Sequence, residues 1–227
     1  MIGHHLQQSA SFALPPGPPL KLSRCFQYIP PQASYLLYEG YKRSSCKVDH
    51  VVLPVIQVAV SADKLFEVLM DCLGLLSDNE VQVCLDVNDY NEHRIYNRSM
   101  ERIILESKLF DYDDYLVHEA YQMVFAAFCN YPRYLEVQLS RAKVITMYVY
   151  QPHDLSPIQN MLHAHGITEI PAMQFLSDEV YPPRESADHE TARADFAASL
   201  GITLNRFDGD WDEDEEDDDD DWGSLLD

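Results

Sequence analysis

The chain has eight glycines, at positions 3, 17, 40, 74, 166, 201, 209 and 223, and no two lie closer than eight residues. A Rossmann G-x-G-x-x-G or a Walker G-x-x-x-x-G-K-[ST] loop needs closer glycines, because backbone must approach phosphate there. Both are therefore excluded. No G-x-S-x-G nucleophile elbow and no H-E-x-x-H zinc helix occurs either. The five cysteines, Cys25, Cys46, Cys72, Cys84 and Cys129, form no CxxC pair. An odd, dispersed set fits neither a disulfide framework nor a zinc ribbon. No run approaches the roughly 20 apolar residues that span a bilayer. The longest apolar stretch, Val51 to Val60, is interrupted by Pro54 and Gln57. The N-terminus lacks the basic start and apolar core of a secretory signal, and lipidation signatures are missing. The expected compartment is the cytoplasm, with no membrane association.

Positive charge is also scarce. Of 227 residues, 16 are Lys or Arg and 38 are Asp or Glu, for a net charge of −22. The excess is uneven. Residues 1–50 carry +3, residues 51–206 carry −12, and residues 207–227 hold 13 acids and no base. Direct nucleic-acid binding is not expected, since it needs clustered Lys and Arg. The 46% hydrophobic content is in the globular range, so a folded core is expected.

Three regions follow from these shifts. Residues 1–50 read as a proline-rich, basic N-terminal extension. Its stretch Ala13–Leu20 suits polyproline II, and Pro16 to Lys21 matches a P-x-x-P with a basic flank. Residues 51–206 read as an α/β domain, with α+β as the variant: a mixed β-sheet with helices packed on it. Residues 207–227 read as a disordered acidic tail, because like charges at that density repel.

Within the domain, Val55–Val60 is β-rich, and Ser61 suits the N-cap of a helix bearing Leu65, Leu69, Cys72, Leu73 and Leu76 at helical spacing. Val81, Val83, Leu85 and Val87 alternate as a half-buried strand. Asn88–Ser99 reads as a polar interlude, and Ile103–Leu105 is ambiguous. Tyr115–Cys129 reads as a helix. Leu135–Leu139 and Lys143–Tyr150 read as a strand pair across a short link. Ser156 and Pro157 suit the N-cap and first turn of a helix that Gly166 stops. Ala172–Leu176 reads as a strand, and His189–Leu200 as a last helix with Phe196 and Leu200 inward. Two strand–helix–strand units result, at 54–87 and 143–176.

Candidate sites are few. Asp86, Asp89, His93 and Arg94 gather after the second strand, where α/β folds often bind ligands. His153 follows a later strand. Together these are the candidates for a small-molecule-binding or hydrolytic pocket. His118–Glu119 and His153–Asp154 each set an imidazole beside a carboxylate, but acid–base work needs partners in space. His163 and His165 lie two apart on one helix, pointing about 200° apart, so they do not share a metal. Glu136 and Gln138 share part of the Glu-x-Lys spacing of metal-dependent nucleases, with Asp113 or Asp114 as the upstream acid and Gln in the lysine position. No metal site or cofactor is expected.

The tail is the strongest feature. Trp211 and Trp222 bracket the acids that end in Asp217, Asp218, Asp219, Asp220 and Asp221, and Leu225 and Leu226 follow. A purely solubilising tail does not need those apolar residues. Acid with embedded aromatics suits a basic protein surface with apolar pockets. The leading expectation is a non-enzymatic adaptor or regulatory protein acting through this tail. The alternative is the pocket enzyme above, and a third reading is a structural protein that dimerises through a strand edge. The basic extension and the acidic tail are also able to attract each other.

Overall fold

The computed structural model describes residues 17–26, 37–76, 80–89, 92–119, 123–129, 134–175 and 189–204. Seven strands form one sheet: β1 (Gly40–Val48), β2 (Val51–Ala59), β3 (Glu80–Asp89), β4 (Glu92–Glu101), β5 (Met123–Cys129), β6 (Leu135–Leu139) and β7 (Ile145–Val149). Among the described residues five α-helices accompany them: α1 (Ala62–Leu73), α2 (Arg102–Phe110), α3 (Asp113–His118), α4 (Leu155–Ala164) and α5 (His189–Ser199). The sheet order is β1-β2-β7-β6-β5-β3-β4. Helices therefore pack on a sheet, as the patterning predicts. Every pairing between named strands is antiparallel, which is the α+β form of that expectation.

The register assigns the two faces. Val83, Ala127, Val137, Met147 and Ile56 lie in one cross-strand row. All are buried in a single core with Leu65 and Leu69 of α1, Leu105 of α2, Leu116 of α3, Ile158 of α4 and Phe196 of α5. The helices thus cover this face. The opposite, open face carries Gln82, Cys84 and Asp86 on β3, Glu136 and Gln138 on β6, and Tyr148 on β7, all half-buried. The helix face is apolar and the open face mixed, since Val55, Ala126 and Phe128 lie on it as well.

The first strand–helix–strand unit is β2-α1-β3. Its strands run the same way but are not neighbours, because β7, β6 and β5 lie between them. The second unit is incomplete. After β7 and α4, Glu169 alone among the described residues makes a bridge, parallel to Tyr41 of β1. Tyr41 N donates to Thr168 O at 3.0 Å and Ile170 N to Tyr41 O at 2.8 Å. Pro171 follows and has no N–H to continue a ladder. Residues 172–175 are consequently not a strand, and Leu176 lies outside the described residues.

Three further expectations are corrected. The helix expected over Tyr115–Cys129 ends at His118, and Met123–Cys129 is β5, paired with β3 and β6. Its run of apolar residues has no period that separates a strand apolar on both sides from a buried helix. The polar interlude is mostly β4, an edge strand that buries little and so shows little apolar signal. Ile103–Leu105 belongs to α2, with Leu105 buried and Ile103 exposed. Helix α4 starts at Leu155, one residue before Ser156, after a single 3-10 turn over Pro152–Asp154. Gly166 ends it at φ +73°, a left-handed conformation that favours glycine.

The stretch read as an N-terminal extension is partly built into the fold. Gly40–Val48 is edge strand β1. Upstream, Pro19 bridges Tyr38, and Leu20 N donates to Leu37 O at 2.8 Å. Lys21 N donates to Ser61 Oγ at 2.9 Å, which occupies the hydroxyl expected to cap α1. Ser61 makes no side-chain cap, and its own N–H goes to Glu39 Oε1 at 3.0 Å.

Candidate functional site

Asp86 sits on the open face of β3, half-buried. Asp89, His93 and Arg94 lie in the β3–β4 hairpin, where Asn88 pairs with His93 and Val87 with Arg94. The side chains of Asp89, His93 and Arg94 are outside the described ones. His153 is elsewhere. It follows β7, whose last residue Val149 pairs with Leu135, and Leu135 with Cys129. That is the end of the sheet where β3 begins, whereas the hairpin is where β3 finishes. The fold therefore does not bring His153 to the other four candidates. His153 is exposed and faces its neighbour Asp154 at 3.5 Å.

The remaining histidines also resolve into separate roles. His163 Nε2 meets Tyr41 OH at 3.3 Å, and Gln159 donates to the same hydroxyl at 3.2 Å. His165 Nε2 meets Asp71 Oδ2 at 2.7 Å. The two imidazoles turn to different partners, as their helical spacing dictates. Glu136 accepts from Tyr134 OH and, at 2.5 Å, from Gln138 Nε2 on the open face. Asp113 and Asp114 are on α3, which packs on the other face. The nuclease-like carboxylate set is thus not assembled. Among the described residues, no group of three or more His, Cys, Asp or Glu is placed to hold a metal ion.

One polar cluster was not visible in the sequence, because its members are far apart in the chain. Lys143, in the β6–β7 turn at φ +59°, is buried and donates to Leu116 O at 2.7 Å and to Glu119 O. Ser23 Oγ lies 2.5 Å from Val117 O, 3.0 Å from Cys25 Sγ and 3.2 Å from His118 Nδ1. Arg24 N donates to the same Nδ1 at 3.2 Å. The partners are largely the last carbonyls of α3, which the helix itself leaves unpaired. Burial pushes the Lys143 ammonium down to about 8 and the Cys25 thiol up. Burial and the Arg24 cation push His118 down. A cavity of about 10 Å³, room for one water, lies against Ser23, Ala59 and Lys143. The single Ser23 proton is committed to a carbonyl, and the ammonium is committed to two. The cluster therefore anchors segment 17–26 to α3 and to the β6–β7 turn.

A larger groove of about 450 Å³ runs between the α2–α3 corner and α5. Two of its lining side chains attach α5. Lys108 donates to Ser199 O, and Tyr112 OH donates to Asp195 O at 3.1 Å.

Charge is distributed just as unevenly in space. Lys21 pairs with Asp63 at 2.7 Å, Arg24 with Asp114, and Arg43 with Glu169 at 2.8 Å. These are three of the five cations in residues 1–50. The other two, Lys42 and Lys47, are on β1 and make no ion pair among the described residues. Trp211, Asp217 to Asp221, Trp222, Leu225 and Leu226 lie outside the described residues. No described helix is long and apolar enough to cross a membrane. No protein-family model, curated protein or solved structure matches the chain.

Proposed function

We propose that the protein is a non-enzymatic adaptor or regulatory protein whose acidic-aromatic segment 207–227 binds a basic protein surface. The observation that supports this reading most is the pairing of the extension's cations. Lys21, Arg24 and Arg43 already face body carboxylates. The +3 of residues 1–50 is thus largely engaged, and two lysines stand against 13 acids. That imbalance leaves most of the segment's charge for an outside partner. Trp211, Trp222, Leu225 and Leu226 supply apolar contacts that a salt-screened acid run alone lacks.

A fluorescein-labelled peptide of alternating lysine and leucine is a suitable probe. Its anisotropy is titrated with the full chain and with a 1–206 truncation. The reading expects binding by the full chain and at least a tenfold loss, about 1.4 kcal/mol, on truncation. Equal affinity of the two chains contradicts it.

A further inference from the structure

The β1–β2 hairpin is longer than the sheet beside it. The two strands pair from Gly40–Ala59 to Val48–Val51, yet β7 takes up only Val55 to Val58 of β2. Val51–Pro54 and their partners Ser45–Val48 therefore project as a two-stranded arm. At about 3.4 Å per residue the arm reaches about 13 Å past its last pair with β7. The register places Cys46, Val48, Val51 and Leu53 together on the open face. That arm face is wholly apolar, and Val48 and Val51 are 49% and 43% exposed. A two-stranded ribbon on its own is marginal in water, so an uncovered apolar face here calls for an occupant. Lys42 stands at the base of the same face, and Lys47 near the tip on the other.

We propose that this arm is the docking site for the chain's own C-terminal segment, with Trp222, Leu225 and Leu226 against Val48, Val51 and Leu53. The inference rests on the reading of 207–227 as a binding segment and names its resting contact. Charge is complementary, because Lys42 at the base of the arm and Lys47 at its tip have no described carboxylate while the segment holds 13 acids. Apolar matter is complementary too. Reach is sufficient. The described chain stops at Leu204, just past Gly201, whose carbonyl accepts from Arg98 of β4 at 3.0 Å. From β4 to β1 is six strand spacings, about 29 Å, and the 21 residues from Leu204 to Leu225 extend to about 70 Å. A second copy suits the arm less well, since four small side chains fall far short of the roughly 800 Å² per partner of a stable interface. Binding of an outside basic partner is then an exchange, in which the partner displaces the arm.

Trp211 and Trp222 are the only tryptophans, so tryptophan emission, excited selectively over the 14 tyrosines, reports on this segment alone. The test uses the full chain, with a synthetic 207–227 peptide as the solvated reference. Full-chain emission should be blue-shifted from the peptide and less quenched by acrylamide. The double variants Val48→Asp with Val51→Asp, and Lys42→Glu with Lys47→Glu, should each restore peptide-like emission. Both should also bind the lysine–leucine peptide more tightly, because the competing contact is gone. Circular dichroism checks that each variant folds, and the lysine pair carries the test if the valine pair does not. Full-chain emission identical to the peptide's overturns the proposal. So does a blue shift that both folded variants leave in place. A sedimentation change from dimer to monomer with emission unmoved assigns the arm to a second copy and also overturns it. Failure of the lysine–leucine peptide to bind either variant counts against the adaptor reading, not against the docked arm.

Discussion

Lys143 brings an ammonium into the interior and satisfies it with Leu116 O and Glu119 O. Burial holds it near 8, whereas an unfolded lysine titrates near 10.4. Between those values the unfolded chain keeps the extra proton, so this residue makes stability rise with pH, and the gain is lost as pH falls through 8. Two thiols, Cys72 buried and Cys84 half-buried, act oppositely. Burial raises Cys72 and lifts Cys84 to about 11, so they withdraw stability as pH climbs past the ordinary thiol value. The difference between wild type and Lys143→Met isolates the lysine. Urea unfolding should show it growing by up to about 1.4 kcal/mol per pH unit between pH 8 and 10. A difference independent of pH would mean the ammonium is not buried. His118 gives a second pH response. Its Nδ1 accepts from Arg24 N–H, and Arg24, Lys143, Asp114 and Glu119 all face it. Protonation places a proton against that donor, and a depressed imidazole loses stability as pH falls below its ordinary range. Acid should therefore loosen segment 17–26, measured as faster proteolysis near Lys21 and Arg24, and His118→Ala should flatten that pH dependence.

Elements differ in how much their own sequence reveals. Helix α1 was legible because Leu65, Leu69, Cys72 and Leu73 mark one face and Gly74 ends it. Strands β3, β6 and β7 were legible from alternation or from β-branched runs. Helix α5 was legible from Phe196 and Leu200 together with Gly201 at φ +72°. Phe196 explains why that helix stays attached. Its ring lies 5.2 Å from Tyr112, 5.0 Å from Tyr115 and 6.3 Å from Phe125, centroid to centroid. Phe196→Ala should cost about 3–5 kcal/mol, with thermal unfolding and cleavage within 189–204 as the readouts. An unchanged midpoint would mean that α5 is not held by this ring. Strands β1, β4 and β5 were hidden for opposite reasons. Edge strands such as β1 and β4 look polar, like loops, whereas β5 is apolar on both sides and looks like a buried helix. The Lys143–Ser23–His118 cluster was hidden because its contacts join residues 17–26, 116–119 and 143, and no local pattern encodes that convergence. The hairpin group Asp86, Asp89, His93 and Arg94 was legible as a local cluster. His153 was grouped with it only because both follow strands.

At the scale of the whole molecule, charge is the organising quantity. A net −22 is separated into a body whose basic N-terminal residues are mostly ion-paired and a terminal segment of 13 acids. Exposed ion pairs are weak in water and screened by salt, so the pairs at Lys21, Arg24 and Arg43 orient charge more than they stabilise the fold. The consequence falls on association. Exposed charges further apart than about 8 Å are screened at physiological ionic strength, so a contact made by segment 207–227 must weaken with salt. The most direct measurement is the affinity of the full chain for the lysine–leucine peptide across a series of salt concentrations. Log Kd should rise linearly and steeply with log salt, and the 1–206 truncation should show neither the affinity nor the slope. An affinity that is flat with salt, or a truncation with the same slope, would contradict it.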